Sequence, residues 1–193
     1  FYFYENEDGK YQVIDGQQRL TTIKEFVNGE FRLTGLEYLG EEYHIMEEGL
    51  EGRTTCYDDP LFEGLNGFTY LYPCIMTHKP VDLLIIMLGT NDVKERFAST
   101  PENVAKGMER LVQKALDTKI AFRNEPKVLI IAPPAIQQGY RNSFVYGEMG
   151  EECDKKSEKL APLYKEVAKR LGCEFIDAGS IEGVDMYPYD DMH

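Results

Sequence analysis

The sequence is short of positive charge, with 21 Lys and Arg against 34 Asp and Glu in 193 residues and a formal net charge of -13 at pH 7. Nucleic acids and anionic membranes are polyanions, and proteins that bind them present clusters of Lys and Arg. The acidic balance therefore argues against both partners. Because 42% of the residues are hydrophobic and 12% aromatic, the chain can still form one domain with a real core, or one domain plus a fragment.

Paired cysteines and long apolar runs are also missing. The four cysteines are scattered, with no CxxC pair and no His-rich spacing, so we expect neither a metal site nor a disulfide framework. The longest apolar run, residues 83–88, is far shorter than the roughly 20 residues that span a bilayer, and no signal peptide is visible. We therefore expect a cytoplasmic protein without cofactor, metal or membrane contact, and composition leaves its oligomeric state open.

Apolar runs and turn residues predict strands alternating with helices. Residues 81–88 and 127–132 are typical of strands buried on both faces of a parallel sheet, and shorter strands are predicted at 11–13, 43–46 and 173–176. With short links, this alternation predicts an α/β fold, a three-layer α/β/α sandwich with a parallel sheet. Ligands of such folds bind at the carboxyl ends of the strands.

A helix is predicted at residues 20–27, ending at Asn28–Gly29, and three further helices follow residue 46. Asn66 is suited to cap the first of these three, which ends before Pro80. The second begins at Ser99 or Thr100, with a proline in its first turn, and the third ends at Gly172. A polar loop is expected between the strand at 127–132 and the third helix.

Three loops at the predicted strand ends carry sequence blocks: EGLEGRTT at residues 48–55, GTND at 89–92 and DDMH at 190–193. In this order and spacing, the blocks resemble the SGNH hydrolases, especially the GDSL-type, arylesterase-like branch, over about residues 40–193. The resemblance implies a flavodoxin-like sheet and an esterase or lipase-like activity on small carboxylic esters.

The resemblance also implies roles for individual residues. The Gly49 backbone N–H and the Asn91 side-chain amide correspond to two of three oxyanion donors, and each such donor lowers the barrier of acyl transfer by about 3 kcal/mol. His193 corresponds to the general base, and Asp190 to the carboxylate that orients it. Arg53 could face the acyl group of a substrate, but we expect it to form a structural ion pair, and we interpret His44 and His78 as ordinary surface or half-buried histidines.

The nucleophile block of that family, a strand followed by Gly-Asp-Ser, is not found ahead of residue 49. The serines are predicted at a helix cap, in a polar loop, within a helix and after the last strand: Ser99, Ser143, Ser157 and Ser180. We therefore expect a hydrolase domain that is inactive or nearly so, because without its nucleophile only binding and polarisation remain.

A different motif stands where the nucleophile block is expected. Residues 11–23, YQVIDGQQRLTTI, resemble the ParB-like N-terminal domain of GmrSD-type restriction enzymes over about residues 1–39. The resemblance implies a nucleotide-handling site at Asp15, Gln17, Gln18 and Arg19, which gives nucleotide binding as the alternative function. The strand of this segment is also a candidate for the first strand of the parallel sheet.

These resemblances predict a division into residues 1–39, a strand-turn-helix fragment, and residues 40–193, a hydrolase domain lacking its first block and final helix. Two explanations remain open, a joined or misassembled coding sequence with truncated ends, which we favour, and a fusion in which one strand-turn-helix replaces another. A non-functional fragment is a third reading.

Overall fold

The computed structural model describes residues 3–5, 11–13 and 46–181. The first two stretches are strands β1 (Phe3–Glu5) and β2 (Tyr11–Val13), which pair antiparallel in a two-stranded sheet. The strand expected at 11–13 is therefore confirmed. The structure corrects the suggestion that it joins the parallel sheet, because its hydrogen-bonded partner is β1. Pairing with a strand so near in sequence closes only a short loop, at a small cost in chain entropy.

Three parallel strands organise the longer described segment. They are β3 (Leu84–Ile86), β4 (Val128–Ala132) and β5 (Glu174–Asp177), with β4 in the middle. All five residues of β4 are buried, as expected for a central strand covered on both faces. The predicted α/β fold with a parallel sheet is confirmed.

Five α-helices lie within residues 46–181: α1 (Gly67–Thr77), α2 (Pro101–Asp117), α3 (Tyr146–Met149), α4 (Cys153–Ser157) and α5 (Leu160–Leu171). The predicted capping residue of α1, the predicted start of α2 and the predicted end of α5 are confirmed. The Asn66 side chain accepts hydrogen bonds from two backbone N–H groups of α1, and Thr100 caps α2. Gly172 ends α5 in a left-handed conformation at φ +67°.

Helices α2 and α5 pack against each other and against β4, and this contact forms the core of the domain. Val104, Met108, Tyr164 and Val167 are among its fully or almost fully buried side chains. None of the helices in the described ranges is both long and apolar enough to cross a membrane.

The structure differs from the sequence prediction in two places. The polar loop expected up to Gly150 contains a 3-10 turn at Gln138–Asn142 and the short helix α3, and the helix expected after Gly150 is divided into α4 and α5. The strand predicted at 43–46 is not seen at Met46, which is irregular, and its other residues lie outside the described ranges. Helix α3 has only four residues, too few turns to produce a clear apolar period in the sequence.

Candidate active site

The two blocks expected to form the oxyanion hole meet beyond the carboxyl end of β3. The Asn91 Nδ2 donates a hydrogen bond to the Arg53 backbone oxygen at 3.2 Å. In the next residue of the second block, Asp92 Oδ1 accepts from the Thr55 backbone N at 2.9 Å and from Thr55 Oγ1 at 2.5 Å. Residues 48–55 and 89–92 are therefore held together by at least three hydrogen bonds.

Asp92 helps to hold residues 48–55 and 89–92 together. It is completely buried, and burial raises the pKa of its carboxyl from 3.8 to about 6, opposed by the hydrogen bonds from Thr55. Its Oδ2 has no hydrogen-bond partner among the described residues. The backbone oxygen of Asp92 accepts from Ser99 Oγ, so the residue also ties the turn after β3 to the start of α2.

Two glycines allow the close packing around this junction. Gly89 adopts φ +130°, and a Cβ there would lie 2.4 Å from the Tyr164 hydroxyl oxygen, which donates to the Leu88 backbone oxygen. A Cβ at Gly107 in α2 would lie 2.3 Å from Thr55 Oγ1. Neither position has room for a larger residue without displacement of its neighbour.

Residues 48–55 are also anchored to helix α1. Thr54, which is fully buried, forms a parallel bridge with Asn66, and its backbone oxygen accepts from the Gly67 N at 3.0 Å. The turn that precedes it uses Gly52 at φ +80°, a conformation that L side chains rarely adopt. The amino-terminal end of α1 therefore fixes the carboxyl-terminal end of the block.

Tyr70 of α1 contacts Glu48 and Arg53, which lie before and after Gly49 in the sequence. Its hydroxyl donates to Glu48 Oε2, and its ring lies under the Arg53 guanidinium, with the Arg53 Cζ 3.9 Å from the ring centroid. His78 Nε2 lies 2.5 Å from the other Glu48 oxygen. The hydrogen bond from Tyr70, followed by that from His78, lowers the pKa of Glu48, while the same bond raises the pKa of Tyr70 to about 12.

The predicted site residues are only partly within the described ranges. Gly49 lies exposed in an irregular stretch, and Asn91 is partly buried with an Oδ1 that has no described hydrogen-bond partner. The structure brings their two blocks together through Arg53. Six predicted residues lie outside the described ranges: Asp15, Gln17, Gln18, Arg19, Asp190 and His193.

Sequence reasoning missed the residues that hold Glu48. The spacing of Tyr70, Cys74 and His78 at intervals of four residues was the available signal, because such residues share one face of a helix. Arg53 was expected in an ion pair, and its resolved contact is the stacking on Tyr70.

All four serines of the chain lie within the described ranges, and each hydroxyl is engaged by local backbone. Each donates to a nearby carbonyl oxygen, Ser99 to that of Asp92, Ser143 to Tyr140, Ser157 to Asp154 and Ser180 to Asp177. No histidine is paired with any of them among the described contacts.

The cysteines do not offer an activated substitute. Burial raises the pKa of the thiols of Cys56 and Cys74, and it raises those of Cys153 and Cys173 to about 11. Since the thiolate is the nucleophile, a raised pKa makes a thiol less reactive at neutral pH.

Solved structures similar to this chain include ester hydrolases. The aryl esterase of M. smegmatis is 36% identical to the chain with a TM-score of 0.66, covering 79% of this chain and 73% of its own. A carbohydrate acetylesterase from Sinorhizobium meliloti is 34% identical with a TM-score of 0.67, covering 95% and 82%. A putative arylesterase from Agrobacterium tumefaciens str. C58 is 37% identical with a TM-score of 0.66, covering 79% and 72%.

The family model of the GmrSD restriction endonuclease N-terminal domain matches residues 1–167. The chain belongs to two families, the SGNH-type esterases and the GmrSD N-terminal domains. No curated protein matches it. The GmrSD match continues past residue 39 into the region with the esterase fold. It therefore does not mark a domain boundary at residue 39.

For an SGNH-type esterase, the fold supports ester hydrolysis as the general chemistry and a small-molecule ester as the class of substrate.

Proposed function

We propose that this chain recognises small carboxylic esters at the carboxyl end of β3. The Gly49 N–H and the Asn91 amide would be the oxyanion donors, with Asp190 and His193 as acid and base. The observation that carries this proposal is the bond from Asn91 Nδ2 to the Arg53 oxygen, since it joins the two donor-bearing blocks at the edge where parallel sheets bind ligands.

The Asn91 amide can serve both structure and substrate. A primary amide has two N–H donors, and Arg53 O accepts from one of them. The second is available for an ester carbonyl oxygen. As the carbonyl carbon becomes tetrahedral, charge accumulates on that oxygen, and an amide already fixed by Arg53 stabilises it without reorganisation. The contact with Arg53 thus serves to orient the donor.

We further propose that hydrolysis by this chain is slow. Its four serine hydroxyls are bound to backbone carbonyls, its thiols have raised pKa values, and residues 1–39 contain no Gly-Asp-Ser turn. Binding and polarisation of the ester remain, and they support only a small part of the rate of an intact triad. Water would then be the nucleophile, with His193 as its base.

The direct test is hydrolysis of p-nitrophenyl acetate by the full chain and by Asn91→Ala. We expect a weak residual turnover that falls about 100-fold in the variant, the usual cost of losing one oxyanion donor. Asn103→Ala, which removes an exposed amide from α2, is the control and should retain the rate. Equal rates in Asn91→Ala and the parent would show that Asn91 is not a donor.

A second measurement tests the missing nucleophile. The chain is treated with a fluorophosphonate and examined by mass spectrometry, and we expect no adduct at any serine. An adduct at Ser180, the serine that follows β5, or a turnover typical of an esterase would overturn the proposal of slow hydrolysis. Replacing residues 1–39 by a strand with Gly-Asp-Ser should raise the turnover by several orders of magnitude.

Nucleotide binding is a second candidate function, and the GmrSD family match over residues 1–167 favours it. We propose Asp15, Gln17, Gln18 and Arg19 as its contact residues. Titration with ATP and GTP should show saturable binding that is lost in Arg19→Ala and kept in Arg32→Ala. Absence of binding to the unmodified chain would eliminate this function.

A further inference from the structure

A cluster of three potential metal ligands lies beside the candidate active site. One ligand atom each from Glu48, Cys74 and His78 lies within 4.8 Å of the other two. Cys74 belongs to α1 and His78 is its C-terminal cap, four residues later, so one helical face presents both. Glu48 approaches from the facing loop. All three residues are partly buried.

We propose that Glu48, Cys74 and His78 bind a Zn²⁺ ion. A thiolate, an imidazole and a carboxylate are the three side-chain types that zinc uses in proteins, and the combination of sulfur, nitrogen and oxygen disfavours Mg²⁺ and Ca²⁺. The site would have three protein ligands, which leaves one position of a tetrahedron for water. This departs from our sequence expectation that the scattered cysteines hold no metal.

The geometry needs a small rearrangement to accept the ion. Ligand atoms at normal zinc distances are about 3.5 Å apart in a tetrahedron. Glu48 Oε1 and His78 Nε2 are 2.5 Å apart, so their hydrogen bond would open as both atoms turn toward the metal. The Cys74 sulfur already lies within 4.8 Å of both atoms. A change of about 1 Å in the Glu48 to His78 separation is within the reach of side-chain rotation.

The Glu48 carboxylate also has a hydrogen-bond partner that is not one of the proposed metal ligands. The Tyr70 hydroxyl donates to Glu48 Oε2, the oxygen that is not bonded to His78, and such outer hydrogen bonds orient metal ligands. The nearby Arg53 guanidinium opposes a cation, but it is directed over the face of the Tyr70 ring.

Binding requires a proton balance that can be measured. A cysteine thiol has an ordinary pKa of about 8.5 and is mostly protonated at neutral pH. Coordination forms a zinc–sulfur bond and releases that proton to the buffer, and no oxidation occurs. The ion would link the residue before Gly49 to α1. This site does not depend on either proposed function.

The experiment treats the full chain with a chelator, removes the chelator, and titrates ZnCl₂ by calorimetry in two buffers of different ionisation enthalpy. We expect one Zn²⁺ per chain with proton release. Cys74→Ser and His78→Gln should each weaken binding at least about 100-fold, and Tyr70→Phe about tenfold. Cys173→Ser removes a comparable, partly buried thiol outside the cluster and should change nothing.

A measurement on the unmodified chain tests the proposal even if the variants fail to fold. X-ray absorption of the zinc complex should show one sulfur ligand at about 2.3 Å together with nitrogen or oxygen ligands. The proposal is overturned by failure to bind Zn²⁺, by a spectrum without sulfur, or by equal loss of binding in Cys173→Ser.

Discussion

Asp92 Oδ1 accepts two hydrogen bonds from Thr55, one from the backbone N at 2.9 Å and one from the hydroxyl at 2.5 Å. The carboxyl is completely buried, and no cation pairs with it among the described residues. Because the neighbouring residues Asn91 and Arg53 are also hydrogen bonded, this buried acid helps to hold the proposed oxyanion donor in place.

Asp92 should make stability depend on pH. Its pKa is raised from 3.8 to about 6 in the folded chain, so the folded state binds more protons between these values. The contribution is complete below about pH 4 and is lost as pH rises through about 6, by up to about 3 kcal/mol. Urea unfolding should show this loss in the parent and a flatter profile in Asp92→Asn, whose Oδ1 still accepts from Thr55. The exposed Asp82→Asn should keep the parent profile, and an unchanged profile in Asp92→Asn would refute the assignment.

Gly89→Ala should destabilise the fold strongly. The new Cβ would lie 2.4 Å from the Tyr164 oxygen, at a φ of +130° that alanine avoids. We expect a loss of about 3 kcal/mol or more in the free energy of unfolding. Gly147→Ala, with no atom within 4 Å of its added Cβ, is the control and should cost nothing. The double variant with Tyr164→Phe should recover part of the loss, and full stability of Gly89→Ala would show that the turn is not as described.

Tyr70→Phe should separate the two contacts of this side chain. It removes the hydroxyl that donates to Glu48 but keeps the ring beneath Arg53, and we expect a loss of about 1 kcal/mol. Tyr70→Leu also removes the cation–π contact and should cost a further 0.5 to 1 kcal/mol, on the order measured for such pairs. Chemical denaturation of both variants checks this, with the exposed Tyr72→Phe as the control. Equal stability of the Phe and Leu variants would eliminate the stacking contribution.

Substitutions of Lys94 and of Glu148 should lower the free energy of unfolding by different amounts. Lys94 is almost fully buried and pairs with the half-exposed Glu148, which also contacts Arg96 at 3.2 Å. Glu148→Gln leaves a buried ammonium without its described ion-pair partner, and should cost about 1 to 3 kcal/mol after allowing for the exposure of Glu148. Lys94→Met removes the buried charge itself and should cost less in thermal or urea unfolding. The exposed pair Lys119 and Glu125 gives the baseline, since neutralising either should change stability little. A larger loss of stability in Lys94→Met than in Glu148→Gln would contradict this prediction.

Strong local signals were read correctly from the sequence. The capping of α1 by Asn66, the start of α2 at Thr100 and the end of α5 at Gly172 each depend on one residue and its immediate neighbours. Helix α3 and the break between α4 and α5 lack such signals. The partner of β2 was misassigned because sequence pattern identifies a strand but not its neighbour.

The sequence by itself determined the three parallel strands and the three long helices of the α/β fold, the order of the sheet-end blocks and the absence of a Gly-Asp-Ser turn. Each follows from residue identity and short-range spacing. Only the tertiary structure showed that Arg53 accepts from Asn91, that Asp92 is buried against Thr55, and that Glu48 meets Cys74 and His78. These contacts join residues 26 to 38 positions apart, and side-chain direction and burial, which local pattern does not specify, decide them.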